Sequence, residues 1–89
     1  SRHAVRLYAV WALERLREKT LMSRTPGIYP LAQAIAGRTG DDENRVMETL
    51  VEASSLRDAT SISATTATAD DLRLMQDLAR LVRLVGGPR

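Results

Sequence analysis

Asp70-Asp71-Leu72-Arg73-Leu74-Met75-Gln76-Asp77-Leu78-Ala79-Arg80-Leu81-Val82-Arg83-Leu84-Val85 decides the fold class, because its apolar residues recur with the period of a helix. At about 100° per residue, Arg73, Gln76, Asp77, Arg80 and Arg83 share an arc of roughly 120°. The apolar residues take the remaining arc of about 240°, where a helix lying on one core needs little more than about 100°. Such a helix requires neighbours on two sides. In a chain of 89 residues the sequence points to another molecule as the second of them.

Working outward, Thr68 followed by Asp71 resembles a capping box with Asp in place of the usual Glu, and it opens this helix at residue 69. Gly86 closes it, with Arg80 and Arg83 near the negative end of its dipole. Residues 56–69 include the run Thr60-Ser61-Ile62-Ser63-Ala64-Thr65-Thr66-Ala67-Thr68, whose composition reads as a loop, with a short hairpin as the lesser option. Before it, Gly40-Asp41-Asp42-Glu43 supplies carboxylates to cap a third helix carrying Val46, Met47, Leu50 and Val51 on one stripe. Pro30 suits the first turn of a short second helix, which Gly37 closes as a left-handed cap. Residues 20–29, with Pro26-Gly27, read as a connecting loop. Residues 2–19 lack Gly and Pro, and Val5, Tyr8, Ala9, Ala12 and Leu16 form a stripe, which predicts the first helix. The expected fold is therefore all-α: a compact bundle of helices at 2–19, 30–37, 41–55 and 69–85, with the first and last as its main layer. Residues 1–89 read as a single small domain.

Composition agrees with this class. Hydrophobic residues make up 44% of the chain and charged residues 27%, which is ordinary for a chain that folds. Tyr8, Trp11 and Tyr29 are the aromatic residues and Phe is absent, so the core must be aliphatic, which favours helices over sheets. No cysteine and a single histidine leave no disulfide framework and no metal-ligand set, so no cofactor or metal is expected. The net charge is +2 and the pI near 9.7, weak grounds for nucleic acid. No apolar run reaches the ~18 residues of a membrane span, and no signal peptide is recognisable. A cytoplasmic location is the default expectation. The opening Ser1 and closing Gly86-Gly87-Pro88-Arg89 read as a piece excised from a longer chain.

The first helix carries a second surface of Leu7, Val10 and Trp11. Its charges have like-sign i,i+4 spacing, Arg2 with Arg6 and Glu14 with Glu18, which is mildly repulsive within one helix. Two copies packed antiparallel about an axis near Val10 would bring Arg6 to the partner's Glu14 and Arg2 to the partner's Glu18. Packing of Leu7, Val10 and Trp11 on the fourth helix of the same chain is the intramolecular alternative. Arg2, His3 and Arg6 also crowd the positive end of the helix, a conflict that upstream residues or an acidic partner would relieve.

Residues 31–36, Arg38-Thr39-Gly40 and the helix from Asp41 to Ser54 have the outline of a helix-turn-helix. Residues 31–70 resemble winged-helix DNA-binding domains; the resemblance implies a wing at 56–68, a dimerising last helix, and phosphate contacts from Arg38, Arg45 and Arg57. Against it, Asp41-Asp42-Glu43 stands where a recognition helix approaches DNA, and phosphates repel carboxylates. The same acidic run lacks the alternate-position ligands of a calcium loop, and Gly37 with Gly40 lacks the Gly-Lys-Ser/Thr of a phosphate loop. No nucleophile or acid–base pair stands at useful spacing, so neither an enzyme nor a small-molecule substrate is expected. The expected function is a non-enzymatic protein–protein interaction or oligomerisation module, with a homodimer as the first candidate. Its contacts would be Leu7, Val10 and Trp11 on the first helix and Leu74, Leu81 and Leu84 on the last. The alternative is a winged-helix DNA-binding regulator.

Overall fold

Four helices account for nearly all of residues 2–20, 27–59 and 68–86, which the computed structural model of the chain describes. They are α1 (Arg2–Lys19), α2 (Ile28–Thr39), α3 (Glu43–Asp58) and α4 (Ala69–Gly86), and no strand occurs among the described residues. The fold is all-α, as the helical periods predict.

Local chemistry sets the helix ends. At the start of α4, the Thr68 backbone N–H donates to Asp71 Oδ2 at 2.9 Å, and the Asp71 N–H donates to Thr68 Oγ1 at 3.1 Å. This is the reciprocal capping box, with the shorter Asp serving where Glu is usual. Asp42, rather than the run from Asp41, caps α3: its carboxylate accepts the Arg45 N–H at 3.1 Å. The expected left-handed cap at Gly37 is moved by the structure to Gly40, with φ 79° and its N–H donating to the Ala36 carbonyl at 2.9 Å. Gly37 stays inside α2, because helical spacing carries the chain one further turn before the left-handed residue stops it. Pro30 lies in the first turn of α2, where its missing N–H removes no helical bond.

The third helix also runs past the expected end at residue 55. Leu56 continues the row Val46, Leu50, Ala53 at spacings of three and four, so burying it extends α3 over residues 56–58. The start of the expected hairpin at 56–68 is therefore helix, Ala59 follows in extended conformation, and residues 60–67 lie outside the described residues.

One aliphatic core joins the four helices. It takes Val5, Ala9, Ala12, Leu13 and Leu16 from α1, Leu31, Ala32 and Ile35 from α2, Val46, Leu50, Ala53 and Leu56 from α3, and Leu74, Leu78, Leu81 and Val85 from α4. The alanines let helix backbones approach closely where larger side chains would hold them apart. Tyr8, expected on the buried stripe of α1, is only half-buried, and Leu13 takes a fully interior place instead. The largest interface is between α1 and α4, and α4 also packs on α2 and α3. The broad apolar arc of α4 thus finds its several neighbours within the chain, and the second molecule inferred from that arc is not required. Leu72 remains exposed at its margin, and Leu84 is exposed on the polar side of the helix.

Candidate interaction surface

The buried stripe of α1 faces α3 and α4, so the opposite side of the helix looks outward. Ala4, Leu7, Trp11, Glu14 and Glu18 lie there, all exposed. Leu7 keeps 59% of its surface in solvent and Trp11 47%. Trp11 leans on Tyr8, their ring centroids 5.5 Å apart and the planes inclined by 39°, a tilted aromatic pair. The Tyr8 side chain packs partly on the core, so the Trp11 indole stands on a supported base. Val10 is half-buried on the flank, beside a shallow groove of about 400 Å³ shared with Glu14, Arg17 and Arg57.

The six residues expected to meet a partner do not form one surface. Leu7 and Trp11 sit one turn apart, with Val10 at their edge. Leu74 and Leu81 are each 3% exposed, inside the chain's own core, and offer no area to a partner. Their stripe is the one that α4 turns towards the other three helices. Leu84 is exposed but shares the side of α4 that carries Asp77 and Arg80, at helical spacings of seven and four, beside α3.

Arg2 and Arg6, the guanidiniums near the start of the first helix, are engaged within the chain. Arg2 Nε donates to Asp71 Oδ2 at 3.0 Å, and Arg2 Nη2 reaches Asp71 Oδ1 at 3.5 Å. Arg6 Nη2 donates at 3.1 Å to the carbonyl of Arg57, in the last turn of α3, where the helix dipole is negative. The electrostatic conflict at the start of α1 is thereby relieved by the ends of two other helices. Both guanidiniums, expected to meet a partner's Glu18 and Glu14, thus already hold an oxygen acceptor within the chain. The Thr68 backbone N–H, with help from the Arg2 guanidinium, holds the Asp71 carboxyl below the usual carboxylate range, against the opposing effect of its burial.

The residues that would contact nucleic acid are dispersed. Arg38 and Arg45 are exposed near the α2–α3 turn, whereas Arg57 lies at the far end of α3, about 18 Å from Arg45 at ~1.5 Å per residue. Arg57 is bound to Asp58 Oδ1 at 2.8 Å, Asp58 Oδ2 at 3.1 Å and Ser54 Oγ at 3.0 Å. That bond to Asp58 raises the Arg57 pKa and lowers that of Asp58. At the start of α3, Arg80 of α4 forks onto both oxygens of Asp41, one bond measuring 2.9 Å, and holds the Asp41 carboxyl below its ordinary value. A second groove of about 400 Å³ lies here, its carboxylates and guanidiniums largely neutralising one another. Among the described residues no cluster of three or more His, Asp or Glu could hold a metal ion, and no helix is long and apolar enough to cross a membrane.

Sequence reasoning missed the Arg2–Asp71 link. Asp71 was legible as a capping residue, but no local pattern pairs residues that lie so far apart in the chain. Comparison with protein-family models, with curated proteins and with solved structures finds no match, so functional argument rests on this chain's own surface.

Proposed function

We propose that the chain is a non-enzymatic protein–protein interaction module whose docking face is the outward side of α1, centred on Leu7 and Trp11. The exposure of the chain's single tryptophan beside Leu7 carries this reading. Covering apolar surface is favourable by roughly 25 cal/mol per Å², and tryptophan is enriched among residues that dominate binding energy. The fold does not need these side chains: the core closes without them, and among the described residues no buried polar side-chain atom lacks a partner. Val10 extends the face and Leu84 forms a separate, smaller apolar point.

A photoreactive benzophenone amino acid at position 11, with position 48 on the exposed side of α3 as control, tests the reading in the host cell. Adducts at position 11 and none at 48 are expected; adducts at neither position would refute it.

The compact α2–α3 unit, turning at Gly40, favours a second reading as a winged-helix or helix-turn-helix DNA-binding regulator using Arg38 and Arg45, the two of the three expected phosphate contacts that stand at that turn. That reading predicts binding to random duplex that falls steeply with salt. No binding at micromolar protein in low salt removes it.

A further inference from the structure

We infer that the occupant of the α1 face is a second copy of this chain, docked antiparallel so that Leu7 of each copy packs on Trp11 of the other. The inference rests on the reading of α1 as the docking face. Ala4, Leu7, Trp11, Glu14 and Glu18 recur at alternating spacings of three and four, the period of a seam between two paired helices, and all five are exposed. The seam is polarised. Its N-terminal half holds Ala4 and Leu7 without a carboxylate, and the first turn of α1 has no acidic residue. Its C-terminal half holds Glu14 and Glu18, the latter offset in part by Arg15 at 4.0 Å.

Parallel pairing would stack Glu14 on Glu14 and Glu18 on Glu18, like charges face to face. Antiparallel pairing instead sets Glu14 against the other copy's Ala4, beside His3 and towards Arg6. The His3 imidazole carries an N–H donor in either protonation state. Arg6 is bonded to a neutral carbonyl and keeps its positive charge at that end. The Leu7–Trp11 contact then occurs twice, once on each side of the axis, as an isologous interface demands. Relative to an axis at Val10 with Arg2 and Arg6 as ion-pair partners, the centre shifts to the apolar pair, because those guanidiniums are held within the chain. One helix face buries little beside the ~800 Å² per partner of standard interfaces, so the dimer is weak and dependent on concentration.

The test uses the absence of cysteine from the chain. Sedimentation equilibrium should show the mass rising with concentration from 9.8 kDa towards twice that value, while Trp11→Ala keeps its helical circular dichroism and needs at least about tenfold more protein to associate. An oxidised equimolar mixture of Ala4→Cys and Glu14→Cys should yield mainly the mixed disulfide. A chain that stays monomeric, a Trp11→Ala variant that associates normally, or a predominance of the disulfide between two Ala4→Cys copies would each overturn the inference. A monomer whose position 11 cross-links in the cell to a protein of another mass overturns it and leaves the interaction-module reading standing; absence of any adduct removes both.

Discussion

Asp71→Ala removes in one step the carboxylate half of the α4 capping box and the tie from α4 to α1, while the Thr68 hydroxyl keeps the backbone N–H of residue 71. Asp71 is a charged residue only 7% exposed, and its carboxylate accepts from the Thr68 N–H at 2.9 Å and from Arg2 Nε at 3.0 Å. Loss of the carboxylate's bond to the Thr68 N–H costs about 1 kcal/mol. The charge-assisted bond to Arg2 adds about 1 kcal/mol more, taken low because the Arg2 side chain is 34% exposed and screened by water. The sum of about 2 kcal/mol is a large share of the roughly 4–13 kcal/mol expected for a domain of this length, and it lowers Tm by about 8–16 °C. Thermal and urea denaturation followed by circular dichroism measure it. Arg2→Ala alone should cost about half as much, and a double-mutant cycle with Asp71→Asn should show favourable coupling. The pH dependence has a definite sign. Because the folded carboxyl is depressed, first by the Thr68 N–H and then by Arg2, its contribution is complete above the unfolded pKa of about 4 and is lost as pH falls through the folded value. The gap between wild type and Asp71→Ala should therefore stay constant from neutrality down to about pH 4 and close below it. A variant within about 0.5 kcal/mol of wild type at pH 7, or zero coupling with Arg2, would refute the reasoning.

Other substitutions probe the core and the turns. Leu78→Ala, at a fully buried site, should destabilise by about 2–5 kcal/mol in denaturant titration, whereas Leu72→Ala on the exposed margin of the same helix should stay within about 0.5 kcal/mol. Gly40→Ala forces a side chain into the left-handed region and should cost about 1–2 kcal/mol, while Gly37→Ala, with no atom within 4 Å of the added Cβ, should stabilise α2 by about 0.5–1 kcal/mol. Equal effects at the two glycines would contradict the placement of the cap. Trp11→Ala should leave the melting temperature of dilute protein nearly unchanged, since Trp11 lies outside the core; a large drop would mean that the indole holds the fold.

Much of the fold was legible because its signals are local. Apolar spacing within one helix, the Thr68–Asp71 box and Pro30 depend on neighbours a few residues apart. The structure keeps the box, Pro30 and the helical stripes, except that Val51 of the expected α3 stripe is exposed, with Ala53 and Leu56 buried instead, and Tyr8 of the α1 stripe is half-buried. Gly37 and Gly40 were harder, since both can stop a helix and only the packing of α2 on α3 decides how many turns precede the stop. The functional surface was less legible for a related reason. Periodicity shows that α4 is apolar on a wide arc but not which neighbours cover it, so Leu74 and Leu81 read as partner contacts while α1, α2 and α3 cover them instead. Leu7 and Trp11 were visible as a second face because they fall opposite a stripe that α1 must bury. The engagement of Arg2 with Asp71 and of Arg6 with the Arg57 carbonyl is tertiary, and single-helix charge patterns carry no trace of it.

The central claim is that the outward face of α1 is an interface between two copies of this chain, and mass in solution over a wide concentration series tests it most directly. The account predicts an apparent mass that climbs from 9.8 kDa towards a dimer for wild type, and a rise for Trp11→Ala displaced to concentrations at least about tenfold higher. Wild type fixed at 9.8 kDa up to the highest concentration, or both proteins climbing together, would contradict it.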